Sequence, residues 1–152
     1  MTTLGSERSL LADESSGIVN QPVARLFESA SRSGQLDDPS IQELLAEAWG
    51  RETIIRATGV RMNGTGSDVP PPSVTKLMLV DDLEFYIDVA ARLTGPGMIA
   101  DAGGWGRFAW SQLLLATPAQ RIAGGTDEIQ KNIIAERVLG LPKDRVPTQE
   151  NA

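Results

Sequence analysis

Apolar residues recur along this chain every three, four or seven positions, in long stretches separated by short breaks rich in Gly, Pro, Ser and Asp. Leu4, Leu11, Ile18, Val19, Val23, Leu26 and Phe27 carry that spacing from Leu4 to about Ser31. It is the period of an amphipathic helix, and it differs from the two-residue alternation of a half-buried strand. "SGQLDDPS" interrupts the pattern. Pro39 then suits the first turn of a second helix, where its missing N–H has no partner to lose. Ile41, Leu44, Leu45, Ala48, Ile55 and Met62 mark one face of that helix, with Gly50 and Gly59 inside it. Each glycine costs about 1 kcal/mol against Ala unless close packing requires it. "NGTGSDVPPPS", Asn63 to Ser73, is the clearest loop.

The third stretch, Val74 to about Leu93, is apolar on two sides. Val74, Leu77, Met78 and Phe85 lie toward one side, and Leu79, Tyr86, Val89 and Leu93 toward the other. A helix apolar over so much of its circumference is buried on several sides, which predicts a central position. "TGPG" ends it. Trp105 to about Ala116 reads as a short fourth helix, with Pro118 marking its end. Before the last helix Thr126 is placed to cap, and Asp127 and Glu128 favour the positive end of the helix dipole. Ile129, Ile133, Ile134 and Val138 form its apolar side. Gly140 fits a left-handed terminal residue, and Pro142 cannot continue the helix. The expectation is an all-α chain: an antiparallel four-helix bundle with an additional short helix over residues 1–142, and a frayed tail over 143–152.

Composition narrows the chemistry. A chain of 152 residues fits one domain with a sizeable core. The formal net charge of −6 argues against a nucleic-acid surface, which needs clustered Lys and Arg. Cysteine and histidine are both absent. That removes thiolate chemistry and every Ser-His or Cys-His nucleophile pair, and it leaves no expectation of a zinc site. The general bases that remain are carboxylates, lysines and the single Tyr86. Apolar runs of a few residues fall far short of a membrane span, and no basic segment followed by an apolar one opens the sequence. A cytoplasmic location is therefore expected.

The stretch "RIAGGTDEIQKNIIAERVLGLP", Arg121 to Pro142, puts two glycines and a threonine ahead of an acidic helix start. Backbone N–H groups at a helix start suit an anion or a carbonyl. From spacing alone, Thr126, Asp127 and Glu128 either cap the helix or face a ligand. The run resembles the C-terminal signature of the acyl-CoA dehydrogenase family: Gly-Gly-Thr, Glu-Ile-Gln, Asn-Ile-Ile-Ala and Leu-Gly-Leu-Pro follow in order without gaps. "TTLGSERSLLA", "IQELLAEAWGRETIIRATG" and "SVTKLMLVDDLEFYIDVAARLTGPGMI" are similar to the first three helices of that family's C-terminal domain. The likeness covers nearly the whole chain. It implies a bundle forming one wall of a site for FAD and an acyl-CoA thioester, in which an α-proton is removed while a β-hydride passes to flavin N5. The family's N-terminal helical and middle β-domains have no counterpart in this sequence. The resemblance thus implies a fragment, a truncated product or a separately encoded subunit, weak in FAD and inactive alone, and a homo- or hetero-oligomer through its helical faces.

Residue by residue, the resemblance makes Gly125, Thr126 and Glu128 cofactor-facing and sets Gly124 and Arg8 beside the substrate. In many members the catalytic Glu stands immediately before the Gly-Thr pair; Gly124 occupies that position and has no side chain. A minority of members carry the Glu on the first helix, and "LGSERS" puts Glu7 there. Glu7 is then either the base or an ordinary first-turn acid. The family's Arg-x-x-Phe-Gly stretch reads "RLFESASRSGQ", leaving Arg25 and Arg32 as stand-ins for the arginine that holds the FAD pyrophosphate. The Gln and Gly-Gly-x-Gly after the third helix read "LTGPGMI". Such departures resemble members acting on bulky steroid or branched CoA esters, some of them mixed oligomers. Arg51, Arg56 and Arg61 do not share one helix face and read as a solvated surface. A reading from another class stays open: a non-catalytic helical assembly subunit derived from the same family.

Overall fold

The computed structural model describes residues 22–64, 69–99 and 109–143. Among them are five α-helices and no strand: α1 (Pro22–Arg32), α2 (Pro39–Met62), α3 (Pro72–Thr94), α4 (Ala109–Ile122) and α5 (Asp127–Ile133). A 3-10 turn, Gly95–Met98, follows α3, and a widened π turn, Ile134–Val138, extends α5. The chain is the expected antiparallel helical bundle. The part of the first helix expected before Pro22, the start of the fourth at Trp105, and the tail beyond Lys143 lie outside the described residues.

Local chemistry sets the boundaries. Asp38 caps α2 by accepting from the Ser40 N–H at 2.8 Å, and Pro39 occupies the first turn. Gly34, at φ 71°, turns the chain out of α1, and the Gln35 side chain donates to the Leu93 carbonyl, tying that turn to the end of α3. α3 is the central element: α1, α2, α4 and α5 all pack against it. It buries two stripes, one of Val80, Leu83, Ile87 and Ala90, the other of Tyr86, Val89 and Leu93. Val74, Leu77, Met78 and Phe85, expected as a buried side, are only half-buried. Leu26 from α1, Leu45 from α2, and Trp110 and Leu113 from α4 close the core around α3.

Two expectations are corrected. Pro118 does not end α4, which continues to Ile122. A proline inside a helix removes its own N–H bond to the carbonyl four residues back and crowds that carbonyl with its ring, a local cost. Leu114, which carries that carbonyl, and Pro118 are both exposed, so water can serve it. The turn beyond is held to α3 by Arg121, which pairs with Glu84. On α5 and the π turn after it, Ile129 and Val138 are exposed and Ile133 and Ile134 only half-buried; the fully buried side chain is Gln130. The π turn adds a residue to the helical circuit, as the bond from Leu139 N–H to Ile134 O shows, and rotates Val138 away from the packed side. Gly140, at φ 66°, closes the helix in the expected left-handed conformation.

Candidate functional site

The Gly124–Thr126 turn joins α4 to α5. Gly124 has φ 67° and Gly125 φ 109°, both in the region where a Cβ is strained, so this backbone demands glycine twice in succession. The Gly125 N–H donates back to the Ile122 carbonyl at 3.1 Å. Gly124 is buried, Gly125 half-buried, and Thr126 and Glu128 exposed. Beneath the turn lies Gln130, 0% exposed. Its Nε2 donates to the Gly124 carbonyl at 2.8 Å and to the Gly125 carbonyl at 3.3 Å. Two carbonyls can only accept, so the amide nitrogen must face them. Gln130 Oε1, on the other side, meets no donor among the described residues.

Ion pairs fix the two ends of the same turn. Lys76, buried on α3, donates from Nζ to the Arg121 carbonyl at 2.9 Å and to Asp127 Oδ1 at 3.0 Å. The Arg121 guanidinium bonds the other Asp127 oxygen and both oxygens of Glu84. One network thus joins α3, the end of α4 and the start of α5. The Arg121 hydrogen bonds hold the Glu84 carboxyl below its usual range against a smaller burial cost. Burial works against the Asp127 charge, but Lys76, Arg121 and Lys131 outweigh it and lower its pKa as well. Both carboxylates are committed to cations and are poor proton acceptors.

The structure brings Gly124, Gly125, Thr126 and Glu128 together at this turn. Thr126 stands at the cap position, yet its side chain makes no capping bond. The neighbouring Thr126 hydroxyl is the main influence that holds the Glu128 carboxyl below the usual range. The expected side-chain cap is not formed, and Thr126 and Glu128 both lie on the exposed edge. Arg25 is half-buried on α1, which packs against α2 and α3, and it is no part of the network around the turn. Arg32 pairs with Glu28 along the same helix. Glu7 and Arg8 lie outside the described residues. The solvated reading fails for Arg51: its guanidinium sits 4.3 Å from the Phe85 ring centroid and pairs with Glu47 and Asp82. Arg56 and Arg61 are exposed.

Sequence reasoning missed Lys76 and Gln130. Each breaks an apolar stripe at a position where a hydrophobic residue would continue it, and that interruption is the available signal.

No helix among the described residues is long and apolar enough to cross a membrane. A family model described as "Acyl-CoA dehydrogenase, C-terminal domain" matches residues 1–139. Two curated relatives are each 35% identical to this chain and carry the name acyl-CoA dehydrogenase IpdE1. One, from Mycobacterium tuberculosis, aligns over 147 residues, 95% of this chain and 38% of its own length. The other, from Mycolicibacterium smegmatis, aligns over 125 residues, 80% of this chain and 30% of its own length. This chain thus spans well under half the length of both. No solved structure matches it significantly. With an all-helical bundle, a Gly-Gly-Thr turn at the start of its last helix and a family match over nearly its whole length, the chain belongs to the acyl-CoA dehydrogenase family, as the C-terminal domain.

Proposed function

We propose that this bundle forms one wall of the FAD and acyl-CoA site of a flavin-dependent acyl-CoA dehydrogenase, completed by N-terminal helical and β-domains or by a partner subunit. The observation that carries the reading is the turn at Gly124–Thr126. It lies within the matched segment, is fixed from beneath by Gln130 and Lys76, and shows only Gly125, Thr126 and Glu128 to the outside. A glycine edge lets a flat group approach closely. The charged Glu128 accepts from a hydroxyl or a ring N–H and repels a pyrophosphate, so the donor set fits the sugar and ring portions of FAD and leaves its phosphates to other residues.

FAD, when bound, supplies the hydride acceptor. The chain's own part is to hold the turn, exclude water along the Gly125–Glu128 edge, and take the α-proton. Asp127 and Glu84 cannot take it while paired with Lys76 and Arg121. Glu7 is the assigned base, with Arg8 beside the thioester, Gly124 leaving space for the substrate and Arg25 as a phosphate contact. The departures from the common family pattern favour a bulky steroid or branched acyl-CoA, in a cytoplasmic homo- or hetero-oligomer. The assembly-subunit reading has one observation of its own: a large exposed apolar set, including Trp49, Val60 and Leu115.

Two measurements test the proposal. Millimolar FAD added to the isotopically labelled chain should move the amide resonances of Gly125, Thr126 and Glu128 and leave α2 unmoved; shifts scattered over the bundle would count against the turn. In the complete enzyme, Glu7→Gln should keep substrate binding and slow flavin reduction by about 10²–10⁴-fold, the usual worth of a positioned base. Reduction at the normal rate would place the base elsewhere.

A further inference from the structure

We propose that Gln130 is the positioning residue of the cofactor-facing turn: its buried amide holds both glycine carbonyls inward and thereby fixes the edge that Gly125, Thr126 and Glu128 present. The role rests on the reading of that turn given under Proposed function.

The geometry of the peptide unit supplies the first step. In a trans peptide the N–H points opposite to the preceding carbonyl. With the Gly125 carbonyl drawn inward to Gln130 Nε2, the Thr126 N–H is turned outward. Two consecutive glycines have the widest backbone freedom of any pair, so this orientation must be imposed by a partner. The Gly125 N–H bond to Ile122 closes the turn but does not set the Gly125–Thr126 peptide plane. Gln130 does.

Residue chemistry supplies the second step. Holding two buried carbonyls takes a neutral side chain with two donors on one nitrogen, which an amide has. A lysine or arginine would bring an unpaired charge beneath the turn, and a leucine would leave both carbonyls without a donor. The choice has a cost, because Gln130 Oε1 is itself fully buried and meets no donor among the described residues. A buried polar atom left unpaired calls for a reason beyond packing. Here the reason is the orientation of the turn.

The two restraints on the turn divide the task. Lys76 joins the Arg121 carbonyl ahead of the turn to Asp127 after it, and so fixes its ends to α3. Gln130 sets its middle. Loss of the second restraint alone should leave the helices in place and free only the glycine pair.

The experiment uses the labelled chain and three forms, wild type, Gln130→Leu and Gln130→Glu. Helical circular dichroism should persist in Gln130→Leu, while the Gly125 amide exchanges with solvent at least about tenfold faster. The FAD-induced shifts at Thr126 and Glu128 should vanish at the FAD concentration that gives them in wild type. In Gln130→Glu the carboxyl faces two acceptors: protonated, its single O–H can hold one of them, and ionised it holds neither. Its turn should be held in part at about pH 5 and resemble the Leu variant at about pH 8, while the wild-type turn keeps its conformation across that range. Unchanged Gly125 exchange in Gln130→Leu overturns the proposal. If the Leu variant loses its helices, the Glu variant decides, and a response flat with pH overturns it. A freed turn with FAD shifts retained would reduce Gln130 to a structural clasp and overturn its positioning role while leaving the cofactor reading in place; shifts scattered over the bundle in wild type would instead refute the cofactor reading of the turn itself.

Discussion

Lys76 and Asp82 lie six residues apart on α3, both buried, and their charges are met unequally. The Lys76 ammonium has a carbonyl and a carboxylate at hydrogen-bond distance. Among the described residues the Asp82 carboxylate has only Arg51, at 3.3 Å. Burial pushes the Asp82 carboxyl up, Arg51 pulls it down, and Asp81 adds a smaller push upward. Arg51→Met keeps the apolar stem against Phe85 and removes the charge, so the Asp82 pKa should rise further. The loss at neutral pH is expected to be about 2–3 kcal/mol, below the 3–5 of a fully buried pair because Arg51 is partly exposed. An acid whose folded pKa is raised has its full stability below its unfolded pKa and loses it as pH rises through the folded one. The deficit of Arg51→Met against wild type should therefore be small near pH 4 and complete by pH 7, as urea unfolding at several pH values would show. Glu84 and Asp127 run oppositely, losing stability as pH falls through their lowered pKa values, and they cancel in this difference. A deficit independent of pH would acquit Asp82. None of this was legible in the spacing of Arg51, Arg56 and Arg61, because a five-residue interval says nothing of which single position meets a buried acid on another helix.

Among the elements, the helices themselves were legible and their ends were not always. α2 and α3 begin and end within two residues of the pattern that predicted them, since Asp38, Pro39 and the Gly95–Pro96 break act locally. Pro118 misled because its cost is local while the gain from continuing α4 is not: four more residues bring Arg121 to Glu84 and Asp127. Pro118→Ala should restore a hydrogen bond to Leu114 and raise stability by about 1–3 kcal/mol. A thermal midpoint that fails to rise would mean the proline sets a bend that packing requires. The two glycines of α2 carry a related expectation. A Cβ built on either Gly50 or Gly59 meets nothing within 4 Å, so packing within this chain does not demand them. Gly59→Ala should add about 0.5–1 kcal/mol to the chain by itself. α5 was the element read least well. Its isoleucines suggested an apolar side, but a buried amide serving two carbonyls outweighed them. Burying Gln130 with one oxygen unpaired costs about 1–3 kcal/mol, a price no hydrophobic pattern anticipates.

At the scale of the molecule, two groups stand out among the exposed apolar residues, with Phe27, Leu36 and Ile99 lying elsewhere. Leu115, Ile122, Ile129, Leu139 and Leu141 are exposed on α4, α5 and the segment after it, close in sequence to the Gly124–Thr126 turn. Trp49 and Val60, 61% and 73% exposed, belong to α2. There Ala46, Trp49, Thr53, Ala57 and Val60 are all exposed at three- and four-residue spacing, a continuous stripe of small and apolar side chains. The first set lies close in sequence to the turn and, on the proposed function, is the surface that the rest of a dehydrogenase site would cover. The second sits on a helix distinct from both partners of the turn and remains for another protomer. Burying a side chain such as Trp49 or Val60 at an interface stabilises it by about 1.5–3 kcal/mol, or roughly ten- to a hundredfold in Kd. The chain is therefore expected to associate, and Trp49→Lys or Val60→Glu should each shift the dissociation midpoint by that factor in light scattering or sedimentation. Leu115→Glu, on the other set, should leave the midpoint of this chain unchanged. A monomer mass across a wide concentration range would refute the association, and dissociation by Leu115→Glu in place of Trp49→Lys would move the interface to the site-bearing end.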